Sequence, residues 1–293
     1  MQRVIGRRAL SGEDDTVAKR APRELMVRIY SALFLIAAAV FMTLTSVESF
    51  AALITLFIAA MAWEWARLVR GTGFDFAFAA QLAVTAASAW ATVRGYPASA
   101  LLIVFSGTGL AFLIQRFGKG RSRAWWSAGG VAYAGLPAIA LIWLRGDEAY
   151  GTVAIFYLFA IVWTADSAAF LLGRWIGGPK LAPRISPKKT WAGFTGAMLS
   201  AGLAGFVFGI AAGLSSAWLA AFAVAVSLIA QLGDLGESAV KRKFGIKDSS
   251  HLIPGHGGVL DRIDGLIFAA IAAAVLAWIL DPAQPGRAIL FWP

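Results

Sequence analysis

The chain reads as an all-α, polytopic integral membrane protein with about nine transmembrane helices, on three observations. It is 59% hydrophobic and 14% charged, with a mean hydropathy of +0.71. A soluble domain is nearer ~45–50% apolar and ~25% charged. The apolar residues fall into long Ala/Leu/Ile-rich runs without strand-like alternation. The basic residues collect on one side of those runs.

Each run is justified by length. Crossing a bilayer takes roughly 17–25 mostly apolar residues, and a backbone inside lipid must satisfy its own polar groups in a helix or a closed barrel. Nine runs qualify, at 29–47, 50–69, 76–93, 97–115, 125–144, 151–172, 191–213, 216–233 and 264–280. With the N-terminus cytoplasmic, segments 1–28, 67–75, 116–124, 174–190 and 234–263 face inward and hold 23 of the 26 Lys and Arg residues. Only Arg94, Arg145 and Arg287 face outward. This asymmetry predicts an N-terminus inside and a C-terminus outside. Losing one helix would throw the basic loops onto opposite faces. Trp63, Trp65, Trp125, Trp126, Trp143, Trp191 and Trp292 lie near span ends, where interfacial anchors belong.

The expected organisation is a disordered cytoplasmic tail (1–27), five membrane helices (28–150), a catalytic membrane region of four spans and two cytoplasmic loops (151–281), and a short tail (282–293). Residues 1–24 lack the apolar stretch of a signal peptide. The net charge of +10 is accounted for by topology and attraction to anionic lipid, so a nucleic-acid partner is not expected. With no cysteine, thiolate catalysis and Cys-based zinc sites are excluded. The two histidines, His251 and His256, argue against a multi-histidine metal site within one chain.

The polar residues are concentrated. Ser238–Asp264 reads SAVKRKFGIKDSSHLIPGHGGVLDRID, between two apolar runs. Charges inside a span cost roughly 2.5–3.5 kcal/mol near the centre. Even so, Asp166 lies in the sixth span, Asp234 ends the eighth, and Asp261 and Asp264 open the ninth. Four carboxylates on three helices therefore reach one depth from the cytoplasmic side. Asp261 and Asp264 share a helical face, as Asp234 and Glu237 would if their helix continued. Capping and a salt bridge to Arg262 would explain Asp261 and Asp264 about as well as ligation. The placement of Asp166, whose nearest partner is Arg174 or a metal, favours a hard cation such as Mg²⁺. Two basic sets flank these acids: Lys180, Arg184, Lys188 and Lys189 in one loop, and Lys241, Arg242, Lys243 and Lys247 in the other. Singly, each is explained by topology. Beside a carboxylate cluster, they are the apparatus of phosphoryl-type transfer. The Pro254-Gly255-His256-Gly257-Gly258 loop would let backbone N–H groups approach phosphate, and His256 either binds phosphate or caps the turn. Glu64 and Arg67 are expected to form a mutual ion pair near the interface. Arg145, Asp147 and Glu148, on the outer side, are given no role.

Ser238-x-x-Lys241-Arg242-x4-Lys247-Asp248, then Pro254-Gly255-His256-Gly257-Gly258 and Asp261-Arg262-x-Asp264, resemble the signature of the phosphatidate cytidylyltransferases (CDP-diacylglycerol synthases). Upstream, Asp166, Gly173-Arg174, Lys180-Leu181 and Ser186-Pro187-Lys188-Lys189-Thr190 resemble that family's second motif. The likeness covers about 28–281 and is sharp from 163 to 265. One departure is visible: the family usually has Glu before Gly193, where this chain has Ala192.

The resemblance implies transfer of CMP from CTP to phosphatidate, giving CDP-diacylglycerol and pyrophosphate. It also implies a requirement for Mg²⁺, with a second cation as an option, a cytoplasm-facing site in a bacterial inner membrane, and a homodimer. It assigns Asp166, Asp234, Asp261 and Asp264 to metal. Asp261, Asp264, Asp234, Lys241 and Arg242 would be catalytic. Lys188, Lys189, Ser186, Arg174, Lys247, His256, Gly257, Gly258 and Arg262 would bind substrate. Two other readings share parts of this apparatus: a CTP-dependent polyprenol-type lipid kinase, and a cation transporter using the intramembrane carboxylates. The one-sided charge and the lack of an internal repeat disfavour the transporter.

Overall fold

The structure, a computed structural model, describes residues 26–118 and 121–291. The expected 1–27 tail lies outside the described residues except for Met26 and Val27, and so does Trp292. Among the described residues nine helices are long and apolar enough to cross a membrane. They are α1 (Met26–Thr45), α2 (Val47–Arg70), α3 (Phe76–Val93), α4 (Pro97–Phe117), α5 (Ala124–Arg145), α6 (Gly151–Trp175), α7 (Trp191–Ala212), α8 (Ser216–Lys243) and α9 (Leu260–Leu280). A short helix, α10 (Pro285–Leu290), follows. The number agrees with the sequence reading; several ends do not. α6 runs on to include Arg174, and α8 continues ten residues past 233, because its polar residues there find partners on neighbouring elements.

Local chemistry sets the boundaries. Ser46 caps α2 in a reciprocal capping box with Ser49. Asp75 caps α3 by accepting from the Phe78 N–H at 2.7 Å, and also takes Nε and Nη2 of Arg70 at 2.7 and 2.9 Å. Burial alone would raise the Asp75 carboxyl. The bonds from Arg70 and Phe78 outweigh it and hold the group below the usual carboxylate range. Thr190 caps α7 through Oγ1 and the Gly193 N–H.

α5 is the central post, with 72% of its most apolar window buried against 6% for α1. It packs on α2, α3, α4 and α9, while α7 packs tightly on both α6 and α8. α9 joins the two groups by lying against both α8 and α5. Small residues set the closest approaches: a Cβ on Gly193 would stand 2.7 Å from the Ala169 carbonyl oxygen of α6.

At one end of the bundle the segment expected to be a basic loop is a β-hairpin. β1 (Lys180–Ala182) pairs antiparallel with β2 (Ser186–Thr190), with Lys180 opposite Thr190 and Ala182 opposite Ser186. At the other end Asp147 ties the chain together. One carboxylate oxygen accepts from the Ala149 and Tyr150 N–H groups entering α6, and the other from Gly286 and Arg287 opening α10. Arg145 donates to the Thr43 carbonyl at 2.8 Å and holds the end of α1. Arg145 and Asp147, given no role from sequence, are structural ties.

Two expectations are corrected. Glu64 and Arg67 do not pair: Arg67 lies over the Trp63 ring at 4.8 Å, and Glu64 is fully buried against the 249–260 loop. Trp65 is a core residue rather than an interfacial anchor. It is buried, donates to the Trp126 carbonyl and stacks on Tyr133. Trp125 and Trp191 are exposed, as anchors are.

Candidate active site

The polar residues of α6, α8, α9 and the hairpin converge on one cavity of about 880 Å³. α6 lends Asp166 and Arg174. The hairpin lends Lys180, Lys188 and Lys189. α8 lends Gln231, Asp234 and Lys241, and α9 lends Asp261, Arg262 and Asp264. Helical spacing explains why α8 contributes so much. Asp234, Glu237 and Lys241 lie at i, i+3 and i+7, on one face.

The acids divide into two groups. Asp234, Glu237 and Asp264 can each place a carboxylate oxygen within 4.8 Å of the others. Three like charges at that separation are costly unless a cation lies among them. Asp261 is differently employed. One oxygen receives Lys241 Nζ at 2.5 Å; the other accepts from the Ser249 N–H and hydroxyl and from the Gly258 N–H. Lys241 also reaches Glu237 at 2.8 Å, so it bridges the two acidic groups. Asp166 lines the same cavity from α6, with no side-chain hydrogen bond or ion pair among the described residues.

Lys189 forms an ion pair with Asp234, which draws the hairpin over the cavity. Arg242, expected to be catalytic, does not line the cavity. It donates to the Ile185 carbonyl in the hairpin turn and to the Ile246 carbonyl, tying the hairpin to the end of α8. Arg262 makes no salt bridge to its neighbouring acids. It donates to the His256 carbonyl through Nε at 3.0 Å and Nη2 at 2.5 Å.

The glycine-rich loop packs inward. Glu64 accepts from the Val259 and Leu260 N–H groups at 2.9 and 2.7 Å, from the Ser249 hydroxyl at 3.1 Å, and from the Ser250 hydroxyl. A Cβ on Gly258 would fall 1.8 Å from Ser249 Oγ and 2.8 Å from Glu64. Glycine is needed there so that the loop can close on this carboxylate. His256 Nδ1 lies 3.0 Å from Ser31 Oγ on α1. Ser186, Arg242, Lys247, His256, Gly257 and Gly258 are absent from the cavity wall, whereas Asp166, Arg174, Lys188, Lys189, Asp234, Lys241, Asp261, Arg262 and Asp264 line it. Lys247 is exposed. Thr190 and Gly193 reach the wall and Ala192 does not.

Sequence reasoning passed over Gln231 and the anchoring role of Glu64. Gln231 sits three positions before Asp234, an i, i+3 spacing that could have placed it on the same face. Nothing local to Glu64 points to a loop 185 positions away.

A model described as the cytidylyltransferase family matches residues 26–280. The chain belongs to the cytidylyltransferase family. The match takes in every transmembrane helix and both polar segments. Among similar proteins, a phosphatidate cytidylyltransferase of Brucella suis is 41% identical over 241 residues, covering 79% of this chain and 85% of that protein. A phosphatidate cytidylyltransferase of Haemophilus influenzae is 42% identical over 142 residues, covering 46% and 49% of the two chains. One from Bacillus subtilis is 39% identical over 138 residues, covering 46% and 51%.

Proposed function

We propose that this member of the family is a phosphatidate cytidylyltransferase, making CDP-diacylglycerol and pyrophosphate from CTP and phosphatidate. The observation that carries the reading is the single cavity in which lysines and arginines from α6, the hairpin, α8 and α9 surround carboxylates. Its volume of about 880 Å³ suits a nucleotide.

The lipid phosphate supplies the nucleophile. One of its oxygens forms a bond to the α-phosphorus of CTP, and the bond from that phosphorus to the oxygen bridging to the β-phosphate breaks. Pyrophosphate leaves with the electron pair. A phosphate monoester is largely dianionic near neutral pH, with a second pKa around 6, so the step needs no protein base. The barrier is the meeting of two anions. Arg174, Lys180, Lys188 and Lys189, which line the cavity, would hold the triphosphate and the departing pyrophosphate. Lys241 keeps Asp261 and Glu237 in position, and Asp261 in turn holds the 249–258 loop.

The donor set fits a hard divalent cation: all-oxygen, on two adjacent helices, with Lys189 and Lys241 paired to Asp234 and Glu237 and no ion pair on Asp264 among the described residues. Asp234, Glu237 and Asp264 would hold Mg²⁺, with Asp166 facing the same space. When bound, the ion neutralises phosphate charge and polarises the phosphorus–oxygen bonds. Asp234 engaged in this way would release Lys189 to a phosphate. Asp261 would contribute by positioning rather than by ligation.

The same reading places the hairpin end of the bundle in the cytoplasm, the N-terminus inside and the C-terminus outside, in a bacterial inner membrane, with the protein acting as a homodimer. Purified protein supplied with phosphatidate, CTP and Mg²⁺ is expected to release pyrophosphate and form a CMP-bearing lipid, and to stop when the metal is chelated. Release of CDP instead would identify a kinase and overturn the proposal.

A further inference from the structure

The polar cavity has an apolar neighbour of about 240 Å³, between α1, α2, α5, α6 and α9. Its α1 wall is Ala32, Leu35, Ile36 and Ala39, spaced i, i+3, i+4 and i+7 on one helical face. The remaining wall is apolar except for Asp166, His256 and Arg262. Asp166 and Arg262 also line the polar cavity. The two spaces therefore meet at a carboxylate and a guanidinium. Arg262 spends two N–H groups on the His256 carbonyl and, with five donors in all, keeps others for an anion.

α1 forms the outer side of this cleft and is weakly packed, with only 6% of its most apolar window buried. It is tied near both ends. Near one end Ser31 Oγ donates to the Pro254 carbonyl at 3.0 Å and meets His256; near the other Arg145 holds Thr43. Between these ties the cleft stripe carries Leu35 and Ala39 against the core. An apolar slot at the lipid-facing rim, ending at a basic residue of the phosphate cavity, has the shape of an amphiphile. CTP has no group for it.

We infer that the α1 cleft seats an acyl chain of the lipid phosphate substrate, with its headgroup passing Arg262 and Asp166 into the polar cavity. This rests on the proposed function and adds the route and the chain-binding surface. A bare phosphate would be repelled by Asp166, so the headgroup enters with that carboxylate offset by a cation or by Arg262.

Two lining residues outside the polar cavity test it. Ala39→Trp fills the cleft. It is expected to lower kcat/KM for dioleoyl phosphatidate by about tenfold while leaving dihexanoyl phosphatidate within about twofold. Phe57→Ala enlarges the cleft and is expected to shift preference toward phosphatidate with branched chains. Equal loss of both substrates in Ala39→Trp, or no change in either, would overturn the inference. A readout independent of turnover uses the absence of native cysteine. In Ala39→Cys the thiol is expected to be protected from a maleimide by phosphatidate and not by an equal amount of phosphatidylcholine or by CTP. Equal labelling under all three conditions contradicts the cleft. Protection without CMP transfer by the parent protein would instead leave the cleft standing and remove the proposed reaction.

Discussion

Glu64 accepts four hydrogen bonds from Ser249, Ser250, Val259 and Leu260 with its carboxylate fully buried. A buried charge is tolerable only when satisfied in this way. Glu64→Gln keeps the shape but replaces one acceptor oxygen with a donor. It is expected to cost about 2–3 kcal/mol of stability, read as a lower melting temperature in detergent, and to lower activity because Asp261 rests on the same loop. Asp264 behaves oppositely. It stands among carboxylates that repel it, so Asp264→Asn is expected to abolish at least ~99% of turnover while raising the melting temperature by about 2–4 °C, the equivalent of ~1 kcal/mol. Loss of activity with loss of stability would show that Asp264 is structural instead. Asp261 and Asp264 looked equivalent in sequence, three apart on one face. Their partners separate them, and partners contributed by Lys241 and Ser249 could not be read from spacing.

The elements around the site were partly legible. Nine apolar runs led to nine helices because lipid leaves the backbone little alternative. Their ends were less legible wherever polar residues continue a helix. α8 runs ten residues past its apolar part because Asp234 pairs with Lys189 and Glu237 with Lys241. The i, i+3 spacing of Asp234 and Glu237 hinted at this. The hairpin gave little signal: β2 is five residues long and contains Pro187, a residue that argues against a strand. Its role emerges from the cavity, which takes Lys188 and Lys189 from adjacent positions on it. The α2–α3 connection offers a pH test away from the site. Because the Asp75 pKa is lowered by folding, its stabilisation is present above the unfolded carboxylate value and is lost as pH falls through the folded one. Asp75→Asn should therefore destabilise by about 1 kcal/mol near neutrality, the pair being partly buried, and the difference from the parent should vanish in strong acid. A difference that grew on acidification would contradict the assignment.

At the scale of the molecule, the arrangement is a scaffold of α2–α5 joined through α9 to a second group, α6–α8, with the polar cavity on the hairpin side of α6, α8 and α9. Nine spans among the described residues, with basic loops on one side, predict that single cysteines at Arg184 and Ala283 label from opposite faces of the membrane, Arg184→Cys from the cytoplasm. Labelling of both from one face would overturn the orientation. The activity expected of the whole molecule is transfer of CMP to a lipid phosphate in the cavity. It is tested most directly by the fate of each CTP phosphorus. With phosphatidate and Mg²⁺, label in the α-phosphate of CTP should move into the lipid phase, and label in the γ-phosphate should appear only in aqueous pyrophosphate. γ-label in the lipid, or α-label remaining wholly in the aqueous phase, would contradict the account.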